Sequence, residues 1–94
     1  MARTINKAEL VDEIASKAGL TKVAAKDALE AFLETVTKAL QWRNKVKITG
    51  FGTFEARWRQ SRTGRNPQSG EAVEIPGKWT PAFKAGKNLK DSVA

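Results

Sequence analysis

The sequence contains no cysteine, no histidine and no tyrosine. Without cysteine there is no disulfide framework, no thiolate metal site and no cysteine nucleophile. Without histidine the usual general base near neutral pH and the commonest metal ligand are missing. Carboxylates, lysines and hydroxyls are the reactive groups that remain, and no paired carboxylates, metal-ligand cluster or phosphate loop gathers them. The chain therefore reads as a non-enzyme that needs no metal and no cofactor. Long apolar runs are also lacking: nothing approaches the ~20 residues of a membrane span. The opening stretch, MARTINKAEL, has no signal-peptide core. These absences predict a soluble, cytoplasmic protein with no membrane partner.

What is present is a short chain with a lopsided charge. Its 94 residues predict one domain over 1–94 with little material for a core. The net charge is +7. Residues 1–40 are balanced, with six basic and six acidic side chains, whereas residues 41–94 carry eleven basic groups against four acidic ones. An excess confined to one half points to a polyanionic partner, most often nucleic acid.

Along the chain, NKAELVDEIASKAG reads as an amphipathic helix, with Asn6 and Glu9 spaced as a capping box and Gly19 suited to a left-handed C-cap. Thr21 can cap a second helix whose stripe of Ala25, Ala28, Leu29, Phe32, Leu33, Val36 and Leu40 runs over about five turns. The two predict a helical hairpin. The period then changes. KVKITGFGTFEARWRQS is rich in β-branched and aromatic residues and reads as a short strand, a tight turn and a longer strand. EAVEIP returns as another strand, so RTGRNPQSG between them is expected at the tip of a long hairpin. A short strand around Ala82 and Phe83 and a C-terminal helix, with Leu89 and Val93 pointing inward, complete the chain.

The hairpin is cationic. Alternation puts Glu55, Arg57 and Arg59 on one face and Ala56, Trp58 and Gln60 on the other. At ~3.3 Å per residue the strand from Thr53 to Arg62 extends about 30 Å, beyond any core that so small a chain can build. An exposed two-stranded ribbon is marginal unless it docks. Arg57, Arg59, Arg62 and Arg65 lie between Glu55 and Glu71 with no acid among them, so the docking surface should be anionic. Arginine suits the narrow minor groove of DNA, and Pro67 at the tip can act as a rigid apolar wedge between base pairs. Asn-Pro followed by Ser-Gly is also ordinary turn chemistry, and four arginines on a ribbon can also be a solvated face.

The stretches NKAELVDEIASKAGLTK (6–22), GFGTFEAR (50–57), RTGRNPQSGE (62–71), EIP (74–76) and PAFKAGKNLKD (81–91) resemble the bacterial histone-like HU proteins and their relative, integration host factor. Those proteins are known minor-groove architectural binders that insert apolar wedges. The resemblance implies an α+β fold forming an intertwined dimer: an N-terminal helical hairpin, a three-stranded antiparallel sheet extended into a β-ribbon arm at roughly 55–76, and a short C-terminal helix. It implies double-stranded DNA as partner, with bent, nicked or gapped duplexes favoured, and association with the nucleoid that it helps to compact. Pro67 becomes the wedge, flanked by Asn66 and Gln68, while Arg57, Arg59, Arg62 and Arg65 contact phosphates and the minor groove. Lys7, Lys84, Lys87 and Lys90 match body positions that engage flanking DNA. Phe32, Leu33, Val36, Leu40, Phe51, Phe54 and Phe83 become the shared dimer core, although the same residues can pack within one chain. The partner subunit is an identical chain or a paralogue.

Three places depart from the family pattern. QWRNK puts Arg43 where a glycine is usual, with Asn44 available for the left-handed conformation. Trp58 stands where a polar residue is commoner, and is expected to pack across the ribbon; GKWT precedes PAF. Rival readings are a sequence-specific binder, either of the integration host factor type or a winged-helix protein, and an RNA- or polyanion-binding protein. Against the winged helix, the first two helices lie in the neutral half, and a recognition helix should carry phosphate contacts.

Overall fold

Asn6 starts the first helix in the manner its sequence predicts. In the computed structural model, which describes residues 2–94, its Oδ1 accepts the Glu9 N–H at 2.9 Å. This satisfies one of the donors that a helix start leaves unpaired. The Glu9 carboxylate turns to Arg3, 2.6 Å away, so the capping box is only half built. Helix α1 (Lys7–Ala18) ends at Gly19, whose φ of 68° turns the following Leu20 N–H back to the Ala15 carbonyl at 2.9 Å. Thr21 Oγ1 then caps α2 (Lys22–Gln41), accepting from Ala24 N–H at 3.1 Å. Val11, Ala15 and Ala25 are buried, with Ile14 and Leu29 packed partly against them. Two exposed ion pairs, Lys7–Glu30 at 3.5 Å and Lys22–Asp12 at 3.4 Å, also join the helices, each contributing less than about 1 kcal/mol. The chain falls into two compact units, one ending at Thr37 and the next starting at Lys38.

The turn after α2 differs from the sequence expectation by one residue. Arg43, not Asn44, is left-handed, with φ 63°. The hydrogen bonds give the reason: Arg43 N–H donates to Leu40 O at 3.0 Å and Asn44 N–H to Ala39 O at 2.8 Å. That is the Schellman pattern, which places the left-handed residue immediately before the last donor. The Arg43 guanidinium offsets the strain by donating to Leu40 O at 3.2 Å and Gln41 O at 2.9 Å, carbonyls near the helix end.

Beyond the turn come β1 (Val46–Ile48), β2 (Gly52–Arg59), β3 (Arg62–Arg65), β4 (Ala72–Ile75), β5 (Lys78–Ala85) and α3 (Lys87–Val93). Strands β1, β2 and β5 form one antiparallel sheet in that order, and β3 and β4 form a separate ribbon. The returning limb therefore corrects the expected short strand around Ala82 and Phe83: β5 has eight residues and pairs with β2 along its whole length. RTGRNPQSG is likewise not all tip, because Arg62–Arg65 is strand. Pairing lapses at Gln60–Ser61 and at Pro76–Gly77, where Pro76 has no N–H for a ladder bond. In α3, Leu89 is half-buried, but Val93 is 79 % exposed, against the expectation that both point inward. The helix is only seven residues long and Val93 is its last.

Candidate nucleic-acid interface

The strand register separates charge from aromatic side chains. Directly opposed residues of an antiparallel sheet share a face, and the pairs Lys47–Thr53, Thr53–Lys84, Glu55–Ala82, Arg57–Thr80 and Arg59–Lys78 lie on one. The pairs Val46–Phe54, Phe54–Phe83, Ala56–Pro81 and Trp58–Trp79 lie on the other. The first face is cationic. On the second, the Phe83 ring sits 4.8 Å from Phe54, and Phe51 from the β1–β2 turn comes within 5.5 Å of it, centroid to centroid. Trp58 and Trp79 pack edge to face at 5.5 Å, the cross-strand contact expected of Trp58.

Glu55 is the one acid of these cationic-face rows. Its side chain is 16 % exposed and lies 3.1 Å from Arg57 Nη2 and 3.8 Å from Lys45 Nζ. The Arg57 hydrogen bond holds the carboxyl below its ordinary value; the charges of Arg57, Lys45 and Lys84 act in the same direction and desolvation opposes them.

At the outer end of this face, Arg59, Gln60, Arg62, Ile75, Pro76, Lys78 and Thr80 line an open hollow of about 460 Å³. Thr80 Oγ1 is buried at its edge with no hydrogen-bond partner among the described residues. Three cations and an unused hydroxyl suit an oxyanion. Lys47, Thr53, Lys84 and Lys87 border a second hollow of about 340 Å³ at the turns around Gly50 and Gly86.

Along the ribbon, Arg62 pairs with Ile75 and Arg65 with Ala72, so three positions apart the two arginines project from opposite faces. The tip is ordered by its own polar groups. Asn66 Oδ1 accepts from Gln68 N–H at 2.9 Å, and Asn66 O accepts from Gly70 N–H at 2.7 Å. Arg65 donates to Gly70 O at 3.0 Å, and Gly70 has a φ of 74°. Pro67 and Gln68 are exposed on this turn. Asn66 is thus part of the scaffold that presents Pro67.

Of the site residues read from the sequence, Arg57, Arg59 and Lys84 share the sheet face and Arg62 joins Arg59 at the first hollow. Lys7 sits in α1, paired with Glu30. Lys87 and Lys90 are on α3, where Lys87 pairs with Asp91 at 2.8 Å. Lys47 and Lys78 lie on the same face and do not figure among the residues read from the sequence. The signal for them is the register, which requires knowing where the hairpin turns. Among the core candidates, Phe51, Phe54 and Phe83 meet, and Val36 and Leu40 are half-buried. Phe32 remains 39 % and Phe83 41 % exposed. No helix among the described residues is long and apolar enough to cross a membrane.

Comparison with known proteins agrees with this geometry. The family described as bacterial DNA-binding protein matches residues 5–94. The DNA-binding protein HU of Lactococcus lactis is 54 % identical over 88 residues, 94 % of this chain and 97 % of that one. HU-alpha of Vibrio cholerae is 53 % identical over 89 residues, covering 95 % and 99 %. An Anabaena HU protein co-crystallised with DNA superposes with a TM-score of 0.93 at 49 % identity, covering 96 % of this chain and 98 % of that one. HU from Thermotoga maritima gives 0.68 at 38 % identity, covering 96 % and 100 %. With a three-helix α+β fold, a cationic ribbon and full-length similarity in agreement, the chain belongs to the HU family of bacterial DNA-binding proteins.

Proposed function

We propose that the chain is a histone-like architectural protein that binds the minor groove of duplex DNA with little sequence preference and bends it. The observation that carries this reading is the segregated sheet: cations on one face, aromatic rings on the other, and an exposed proline at the end of the ribbon. Phosphates seat in the hollow of Arg59, Arg62 and Lys78, and further along the duplex against Lys47, Lys84, Lys87 and Lys90. Arg57 and Arg65 follow the backbone and groove. Pro67, held forward by the Asn66–Gly70 turn, enters between base pairs; Gln68 lies beside it. Such a wedge unstacks one step and kinks the duplex. The family membership and the DNA-bound Anabaena relative support the choice of partner.

The working unit is a dimer of identical chains. Among the described residues three hydrophobic side chains are buried, the largest a valine, too little interior for a chain of this length. Phe32, Leu33, Val36, Leu40, Phe51, Phe54 and Phe83 meet the same set on the second copy, and the two arms then reach the DNA together. In the cell it works in the cytoplasm, on the nucleoid.

Ligase-mediated circularisation of a short duplex tests the reading. The wild-type protein should yield circles; Pro67→Ala should bind but yield few; Arg62→Ala/Arg65→Ala should bind weakly. Undiminished circles with Pro67→Ala would remove the wedge, and equal competition by double-stranded RNA would replace DNA as the preferred partner.

A further inference from the structure

The root of the arm carries a stack of side chains off the cationic face. Trp58 and Trp79 oppose each other across β2 and β5, with rings 5.5 Å apart at 65°. Arg43, from the turn after α2, lays its guanidinium 4.4 Å from the centre of the Trp79 ring. The same guanidinium donates to Leu40 O and Gln41 O. One side chain therefore touches both the end of a helix and the start of the arm. Gly77 closes the outer edge: a Cβ there would lie 2.6 Å from Trp58 Cζ2 and 2.9 Å from Arg59 O. The indole fits because that carbon is missing. Immediately beyond, both strands lose their pairing at one level, at Gln60–Ser61 and Pro76–Gly77.

A braced segment followed by an unpaired one concentrates bending at the junction, since a free two-stranded ribbon has little stiffness of its own. The backbone of Arg43 points the same way. A glycine would hold a φ of 63° without strain. Arginine in that conformation gives up backbone ease and in return holds two carbonyls and an indole face.

We propose that Arg43 is a positioning residue: through Trp79 and Trp58 it fixes the attitude of the arm root and confines arm bending to the pivot at Gln60–Ser61 and Pro76–Gly77. The brace belongs to the free protein and does not depend on what the arm grips.

Amide hydrogen exchange on the full chain without DNA tests it, using the wild type, Arg43→Gly, Trp79→Val and the double variant. Each single change should speed exchange of the amides of 57–59 and 78–80 by about threefold or more, the scale of one lost cation–π contact, and leave those of 53–55 unchanged. The double variant should exchange no faster at the root than the faster single, because both remove one shared contact. Relief of backbone strain alone predicts the opposite sign for Arg43→Gly, namely slower exchange or none. An unchanged root in Arg43→Gly, multiplicative effects in the double, or acceleration spread equally over α2 and the whole sheet would each overturn the proposal.

Discussion

Arg59 and Lys78 stand directly opposite each other in the β2–β5 ladder, two positive charges on one face of the sheet. Like charges so placed are destabilising. They border the same hollow as Arg62, so an anion bound there would relieve the repulsion that the free protein carries. Lys78→Ala should accordingly raise stability in urea melts by about 0.2–1 kcal/mol. It should also lower the slope of log affinity for DNA against log salt by about 0.9. Loss of stability, or an unchanged slope, would contradict this role.

Pro67 makes a different prediction, because it lies on an exposed turn held by Asn66, Arg65 and Gly70. Pro67→Ala should change stability by no more than about 0.5 kcal/mol. Preference for gapped over intact duplex should shrink, since a protein that no longer unstacks a step gains less from one already unstacked. Paired affinity measurements on the two duplexes read this directly.

Stability itself should depend on protein concentration. Phe83 touches both Phe51 and Phe54 yet is 41 % exposed in the single chain. If a second copy covers these rings, the melting temperature rises with concentration by mass action. Phe83→Ala should cost about 3 kcal/mol and shift sedimentation toward monomer or unfolded chain. A concentration-independent melt would exclude the shared core.

Glu55 supplies a pH dependence. The Arg57 hydrogen bond, helped by the charges of Arg57, Lys45 and Lys84, lowers its carboxyl below the ordinary value of 4.5. A depressed carboxylate contributes stability that is complete above the unfolded value and drains away as pH falls through the folded one. The wild type should therefore lose stability below about pH 4.5 more steeply than Glu55→Gln does. The same substitution frees Arg57 and should tighten DNA binding at neutral pH, as seen in a titration at fixed salt.

Local chemistry made the helical elements legible. Asn6, Gly19 and Thr21 do what their residue types predict, since caps depend on a few adjacent atoms. The family's motifs likewise marked the arm and the arginines on it. What escaped was set by partners distant in sequence. Lys78 and Lys47 join the cationic face only through the register, which a strand does not encode alone. Arg43 became left-handed in place of Asn44 because the hydrogen-bond pattern at the end of α2 selects a position before it selects a residue type. The full length of β5 is not legible locally, since proline and lysine are poor strand formers, yet β2 pairs with β5 from end to end through Pro81 and Lys84.

The placement of the indoles has an optical consequence. Trp42, Trp58 and Trp79 are the three tryptophans of a chain without tyrosine, and none lies in α1 or beyond β5. Near-ultraviolet absorption is thus concentrated at the turn after α2 and the base of the ribbon. Intrinsic emission then reports on that region without any added dye, while the helical hairpin and the arm tip stay dark.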